Sequence, residues 1–133
     1  MNEVISTPFE VLRKHSFIAL TTFRKSGVGV TTPVWFTLLN DHLYVWTGRD
    51  SGKVKRLRNN PCLTLAPSNY AGKLHGPAIE AIARILPEAE GQEIEKAFRS
   101  KYKLQFSIFS SMARNEEHVY LEISLPSMLE AKP

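Results

Sequence analysis

The stretch "TGRDSGKVKRLRNNP", Thr47 to Pro61, is the part of the chain whose composition departs most from that of an ordinary globular protein. It holds one acidic residue, Asp50, against five basic ones, which are Arg49, Lys53, Lys55, Arg56 and Arg58. This local excess equals the net charge of +4 of the whole chain, so the remaining residues are balanced. Because the excess is local, it favours a small anionic ligand over a long polyanion such as a nucleic acid.

The basic stretch also has the pattern of a short helix. Asp50 or Ser51 can cap its start, Val54 and Leu57 share one face, and the "NNP" at 59–61 ends it. Its first turns therefore hold cationic side chains where a helix is already partly positive, and each such cation is unfavourable by about 0.3–1 kcal/mol without an anion.

A phosphate would relieve this conflict. Lys53 and Lys55 supply charge, Ser51 supplies a hydroxyl, and Gly52 leaves the backbone N–H groups unhindered. The alternative explanation is a solvated basic face with no ligand. The segment alone leaves both explanations open.

Length and composition indicate the class of protein. A chain of 133 residues with 43% hydrophobic and 23% charged residues predicts one globular domain, residues 1–133. The longest apolar runs, such as "PVWFTLL", are too short to cross a bilayer, and no export signal pattern opens the sequence. Cys62 is the only cysteine, so no intrachain disulfide can form. We expect a cytoplasmic protein without a membrane span.

The rest of the chain predicts a mainly β structure of about six antiparallel strands. The strands are predicted at 16–23, 28–39, 42–47, 62–67, 78–86 and 118–125. Pro33 places the long second strand at an edge or a bulge, and "ND" at 40–41 predicts a tight hairpin. Short strands joined mostly as hairpins indicate an antiparallel barrel with helices packed outside it.

Two further helices are predicted, one before the first strand and one between the fifth and sixth strands. The first spans 7–15, with Thr7 as its cap, Pro8 in its first turn, and Phe9, Val11 and Leu12 facing inward. The second spans 87–103 and begins at Pro87.

The order of these pieces resembles the FMN-binding split-barrel superfamily, which includes pyridoxamine 5′-phosphate oxidase and its relatives. The resemblance is carried by "TTPVWF", "YVWT", "SGKVKRLRNNP" and "CLTLAP", and it covers roughly residues 9–123. It implies that the Ser-x-Lys of Ser51 and Lys53 grips the phosphate of a flavin, with the hydroxyl of Thr47 beside it. It also implies a homodimer with cofactor sites at the interface.

One departure changes the cofactor that we expect. Such oxidases place an arginine and a lysine along the second strand, where this chain has Thr32 and Thr37. Their C-terminal substrate segment also has no counterpart here. The "TPVW…SGKVKRLRNNP" pattern is more similar to the branch that uses the deazaflavin coenzyme F420. That likeness implies cofactor-binding residues in two groups, which are Thr32, Pro33, Val34 and Trp35 under the ring, and Thr47, Ser51, Gly52, Lys53, Lys55 and Arg56 around the phosphate.

The resemblance therefore implies an oxidoreductase in which the reduced deazaflavin passes hydride to a small organic acceptor such as a quinone or an enone. It assigns no catalytic side chain. The four histidines, His15, His42, His75 and His118, are scattered in the sequence, so we expect no metal site. His75, in a polar loop, is expected to be exposed.

Three other functions stay open at this stage. FMN could replace the deazaflavin in a flavin reductase or oxidase of the same fold. The protein could be a non-catalytic carrier of flavin, deazaflavin or haem, or a small barrel that binds single-stranded nucleic acid. Trp35 and Trp46 fit either core or dimer packing or the wall of a flavin site.

Overall fold

A single antiparallel sheet dominates the computed structural model, which describes residues 8–112 and 116–126. Its strands are β1 (Phe17–Phe23), β2 (Gly29–Val34), β3 (Phe36–Leu39), β4 (His42–Gly48), β5 (Cys62–Ser68), β6 (Ile79–Pro87) and β7 (His118–Ser124). The helices are α1 (Gly52–Asn59), α2 (Gln92–Tyr102) and α3 (Leu104–Met112), with 3-10 turns at Pro8–Leu12 and Glu88–Glu90. The mainly β fold with flanking helices is confirmed.

The long second strand predicted at 28–39 is wrong in one respect, because it breaks at Trp35. Its first half, β2, pairs with β1, and its second half, β3, pairs with β4. The sheet order is β2-β1-β5-β6-β7-β4-β3, so the two halves form its opposite edges. The sheet therefore curls until the chain at Trp35 joins its two edges, and the described residues form seven strands rather than the expected six. It is a split barrel that is not closed, since no ladder in the described residues pairs β2 with β3.

Local sequence signals explain two features of the edge strands, namely the place of Pro33 in β2 and the turn between β3 and β4. Pro33 lies in β2, whose outer edge has no neighbouring strand in the part of the chain that the structure describes, so its missing N–H disrupts no ladder on that side. Asn40 and Asp41 have φ values of 54° and 69°, which is the geometry of the two-residue hairpin turn predicted between β3 and β4.

Apolar residues pack on both faces of the curled sheet. The inner cluster takes one face of every strand together with Phe9 and Leu12 from the first 3-10 turn and Val54 and Leu57 from α1. The outer cluster lies between the sheet and the helices α2 and α3. Its buried members are Tyr44, Leu86, Ile94, Phe98, Tyr102, Phe106 and Tyr120.

Some helix predictions need correction. Val11 was expected to face inward and is 70% exposed, because the first helix is a short 3-10 turn that buries only Phe9 and Leu12. Pro87 ends β6 and also caps the 3-10 turn Glu88–Glu90, so the helix predicted at 87–103 is divided into this turn and α2. Helix α3 was not predicted at all. The Thr7 cap lies outside the described residues.

The break between β2 and β3 is held by the end of α2. The hydroxyl of Tyr102 accepts the Phe36 N–H at 3.1 Å and donates to the carbonyl of Ser16 at 2.8 Å or of Phe36 at 2.9 Å. The Lys101 ammonium donates to the same Phe36 carbonyl at 3.1 Å and lies 3.4 Å above the Phe36 ring. Burial, together with the charge of Arg13, lowers the pKa of Lys101 to about 8.

We expect Tyr102→Phe to lower the free energy of unfolding by about 1–3 kcal/mol, because it leaves the buried Phe36 N–H without its side-chain acceptor. The matched control is Tyr70→Phe, since Tyr70 is 76% exposed and its hydroxyl has no hydrogen bond within the described residues. Urea unfolding of both variants measures the difference. Equal, small losses would show that the hydroxyl does not hold the break.

Candidate cofactor site

The start of α1 is fixed from two sides. Ser51 caps the helix, and its Oγ accepts the Val54 N–H at 3.4 Å. Val54 and Leu57 are buried in the inner cluster, so the helix cannot rotate without losing that burial. The predicted cap and the predicted apolar face are confirmed. The free N–H groups of the first turn are therefore held in one place.

Lys53 is half-buried beside this helix start. It forms no ion pair with any residue in the described part of the chain. Burial lowers the pKa of its ammonium, and the charge of Arg56 lowers it further. A cation that is partly desolvated, next to another cation and at the positive end of a helix favours an anion at this point.

Arg56 and Lys55 were also predicted around the phosphate, but Arg56 is bonded to another side chain and Lys55 is exposed. The Arg56 Nε donates to the Thr22 Oγ1 at 2.7 Å, so its guanidinium is tied to β1. A Cβ at Gly52 would lie 2.9 Å from the Arg56 Nη1, so a larger residue there would displace the guanidinium. Lys55 is exposed and lines neither of the two cavities described next.

An aromatic cavity of about 470 Å³ lies next to Lys53. Its walls are Phe17, Pro33, Val34, Trp35, Trp46, Thr47, Gly48, Lys53, Phe98, Phe106, Phe109, Glu116 and His118. Three of the four strand residues predicted under the ring are among them, and Thr32 is not. Flat apolar walls with few polar groups suit a planar aromatic ligand.

A second, more polar cavity of about 680 Å³ adjoins the first at the start of α1. It is lined by Thr47, Gly48, Asp50, Ser51, Lys53, Glu116 and Glu117. Four residues line both spaces, namely Thr47, Gly48, Lys53 and Glu116. The two cavities therefore provide an aromatic space that leads to a helix N-terminus with a lysine and a hydroxyl.

The two tryptophans both belong to the cavity wall and are both held by packing. Trp35 stacks on Tyr102 with 4.3 Å between ring centroids and 7° between planes. Trp46 stacks on His118 at 3.9 Å and 12°, and its indole N–H donates to Glu88 at 2.9 Å. Both tryptophans therefore pack on neighbouring rings and also line the cavity.

The positive charge counted in the sequence is partly neutralised by the fold. Arg49 forms an ion pair with Glu117, and its Nε lies 3.7 Å from Asp50. Glu116 and Glu117 approach the helix start from the segment that precedes β7, which is distant in sequence. Fewer cations are therefore free for a ligand than the composition of residues 47–61 indicates.

Sequence reasoning missed seven residues of the aromatic cavity, namely Phe17, Gly48, Phe98, Phe106, Phe109, Glu116 and His118. Phe106 and Phe109 belong to α3, whose "LQFSIFSSM" has no clear polar and apolar alternation and which is held by contacts such as Phe98 with Phe106. His118 pairs with Gly48 across β4 and β7, so only the strand register brings it to the cavity. No local pattern in the sequence indicates that register.

The structure also bears on two other expectations, which concern metal sites and membrane-spanning helices. Within residues 8–112 and 116–126, no group of three or more histidine, cysteine, aspartate or glutamate side chains is arranged to hold a metal ion. None of the helices described is both long and apolar enough to cross a bilayer.

Comparison with known proteins identifies the family. A family model described as "Pyridoxamine 5'-phosphate oxidase" matches residues 9–125, which is most of the chain. The chain belongs to this family. The split-barrel resemblance seen in the sequence is thereby confirmed. No curated protein sequence matches the chain significantly.

Solved structures of the same fold differ in what their names say they bind. An F420 reductase has 15% identity and a TM-score of 0.57, with 90% of this chain and 94% of that chain covered. An FAD-binding protein from Mesorhizobium loti has 16% identity and a TM-score of 0.62, covering 88% and 84%. HutZ, the haem storage protein from Vibrio cholerae, has 11% identity and a TM-score of 0.64, covering 91% of both. At such identities these likenesses show the fold alone.

We expect Lys53→Met to raise the free energy of unfolding of the cofactor-free protein by about 0.3–1 kcal/mol at neutral pH, because it removes a cation from a helix N-terminus. The pKa of Lys53 is lower in the folded protein than in the unfolded chain, so the charged lysine destabilises the fold below both pKa values. This penalty, and hence the advantage of methionine, should shrink as the pH rises through the pKa of the unfolded lysine. Lys55→Met is the control, since Lys55 is exposed, and unfolding at neutral and alkaline pH is the measurement. An equal gain for both variants would contradict the prediction.

Proposed function

We propose that this protein is an oxidoreductase that binds the deazaflavin coenzyme F420 and passes hydride from its reduced form to a small organic acceptor such as a quinone or an enone. The observation that carries the proposal is the continuity of the aromatic cavity with the start of α1. An aromatic ring and a phosphate joined by a short chain match these two spaces. The family match and the fold that this chain shares with an F420 reductase also support it.

The residues present fit such a cofactor. The walls formed by Pro33, Val34 and Trp35 would lie along one side of the ring, while Trp46 and Phe109 would exclude water from it. Ser51, Lys53 and Thr47 would hold the phosphate through hydroxyl donors, a cation and the free N–H groups of α1. When bound, the deazaflavin supplies the hydride from C5. The protein positions it and shields it.

The choice of the deazaflavin over FMN rests on charge beyond the phosphate. The deazaflavin continues into an acidic tail, and the exposed Lys55 and Arg58 on α1 could attract it. Arg49 adds little, because it already faces Glu117 and Asp50. Exposed contacts of this kind are individually weak and screened by salt. We therefore expect a modest preference.

Titration of the purified protein with the deazaflavin and with FMN, at low and high ionic strength, tests the proposal. We expect the deazaflavin to bind more tightly, and the difference to shrink as salt is added. Lys53→Met should weaken binding on the order of ten- to a hundredfold, since it removes a charge-assisted hydrogen bond. Lys55→Met should change it much less. Tighter binding of FMN would overturn the choice of the deazaflavin, and equal small losses for both variants would overturn the proposed phosphate site.

A haem carrier is the second candidate, and one observation favours it. His118 is buried in the wall of the aromatic cavity, where an imidazole could ligate a haem iron, and the fold is shared with a haem storage protein. Its ring is, however, stacked on Trp46 with Nε2 3.9 Å from the Glu116 carboxylate. A haem spectrum that titrates to one equivalent and is lost in His118→Gln would favour this candidate.

We also propose that the protein acts as a homodimer whose interface includes α3. Leu104, Ile108 and Met112 lie four residues apart on this helix and are 71%, 54% and 78% exposed. The same helix places Phe106 and the half-exposed Phe109 in the cavity wall. A second copy seated on α3 would cover both the apolar stripe and the cavity mouth.

We further propose a cytoplasmic location for the protein. Cys62 is exposed and free, which supports a reducing compartment.

We expect sedimentation equilibrium to give a species of twice the 15.0 kDa chain mass at micromolar concentration. Ile108→Gln should shift it toward the monomer, because it places an amide in the middle of the apolar stripe. Val28→Gln is a matched control on an equally exposed apolar residue, which is 57% exposed and far from α3 in the sequence. A monomer in the unaltered protein, or equal dissociation in both variants, would remove this interface.

A further inference from the structure

His118 separates two spaces at the start of β7. One side lines the aromatic cavity, and the other lines an open groove of about 510 Å³. The residue is 8% exposed, and its imidazole lies flat on Trp46. It therefore contacts both the proposed cofactor space and a route to solvent.

The proposed reaction needs a proton as well as a hydride. Hydride transfer to an enone forms a C–H bond at the β-carbon, and the displaced electron pair leaves an enolate that must be protonated. Among the described residues, three ionisable side chains line the aromatic cavity, namely Lys53, Glu116 and His118. Lys53 lies at the phosphate end, next to Ser51. Glu116 and His118 remain as the acid–base pair of the cavity.

We propose that His118 donates the proton that completes reduction of the acceptor. This inference rests on the proposed function. The N–H bond of the imidazolium breaks as its proton passes to the enolate, and the neutral imidazole regains a proton from water in the groove. Stacking on Trp46 fixes the plane of the ring, and the Glu116 carboxylate lies 3.9 Å from Nε2.

Other charges around His118 belong to both spaces that it lines. The groove holds Arg49, Arg58, Glu88 and Glu117, of which Arg49 and Glu117 pair with each other. The cavity side holds Lys53. Glu88 also accepts the Trp46 indole N–H, so Trp46 is anchored independently of the histidine. Its fluorescence can therefore report the charge of the ring stacked on it.

The first measurement uses the cofactor-free protein. In a Trp35→Phe background Trp46 is the only tryptophan, and a protonated imidazole in contact with an indole quenches its emission. Trp46 emission should fall as the pH is lowered through the range in which histidines titrate. The change should vanish in His118→Gln and persist in His75→Gln, a control on an exposed loop histidine. An equal titration in His118→Gln would overturn the proposal.

The second measurement compares two acceptors. A cationic dye of the N-alkylphenazinium class becomes neutral on taking hydride and needs no proton, whereas an enone needs one. His118→Gln should slow enone reduction on the order of a hundredfold more than it slows reduction of the dye. With the enone, the rate of the unaltered protein should fall as the pH rises and His118 loses its proton, and this dependence should be absent in the variant.

The outcomes distinguish failure of the proposed function from failure of the role proposed for His118. If the unaltered protein oxidises the reduced deazaflavin with neither acceptor, the proposed function fails and the role of His118 fails with it. If it reacts with both acceptors and His118→Gln slows both equally or neither, only the role of His118 is overturned. Selective loss of enone reduction supports both.

Discussion

The break in the long strand at Trp35 is the constraint on which the rest of the structure depends. One hydroxyl, that of Tyr102, holds the backbone of Phe36 and Ser16 together, and Lys101 holds the same Phe36 carbonyl. Because the strand breaks there, its halves become opposite edges of one sheet and the sheet must curl. The same hydroxyl docks the end of α2 on the sheet. The aromatic cavity exists because helix and sheet meet at this point with Trp35 stacked between them.

The start of α1 shows a different relation between stability and function. Val54 and Leu57 fix the helix in the core, and this places Lys53 where its charge is both desolvated and close to Arg56. Local rules of helix stability oppose a cation at this position. Violations of that kind are concentrated at functional sites, where a ligand supplies the missing partner. The unfavourable lysine is thus better evidence for an anion site than the charge count of the segment.

The segment before β7 adds negative charge to a site whose helix, α1, is basic. Glu116 and Glu117 approach the same helix start, and Arg49 is paired with Glu117. The proposed anion site is therefore bordered by carboxylates. Between them, a phosphate at the helix start can use Lys53 and the helix N–H groups. His118 joins this border to the aromatic walls.

The sequence by itself determined the cap, the apolar face and the basic side chains of α1, the hairpin at Asn40 and Asp41, and the edge position of Pro33. These features are set by contacts within a few residues, so local patterns are sufficient to predict them. Tertiary structure alone decided the break at Trp35, the course of α3 and the arrival of Glu116 and His118 at the cavity. The hydroxyl that holds the break is 66 residues away from Phe36 in the chain, and His118 reaches Gly48 only through strand register. Interactions over such separations leave no periodic signal in one sequence, because either partner is an ordinary residue in its own local context.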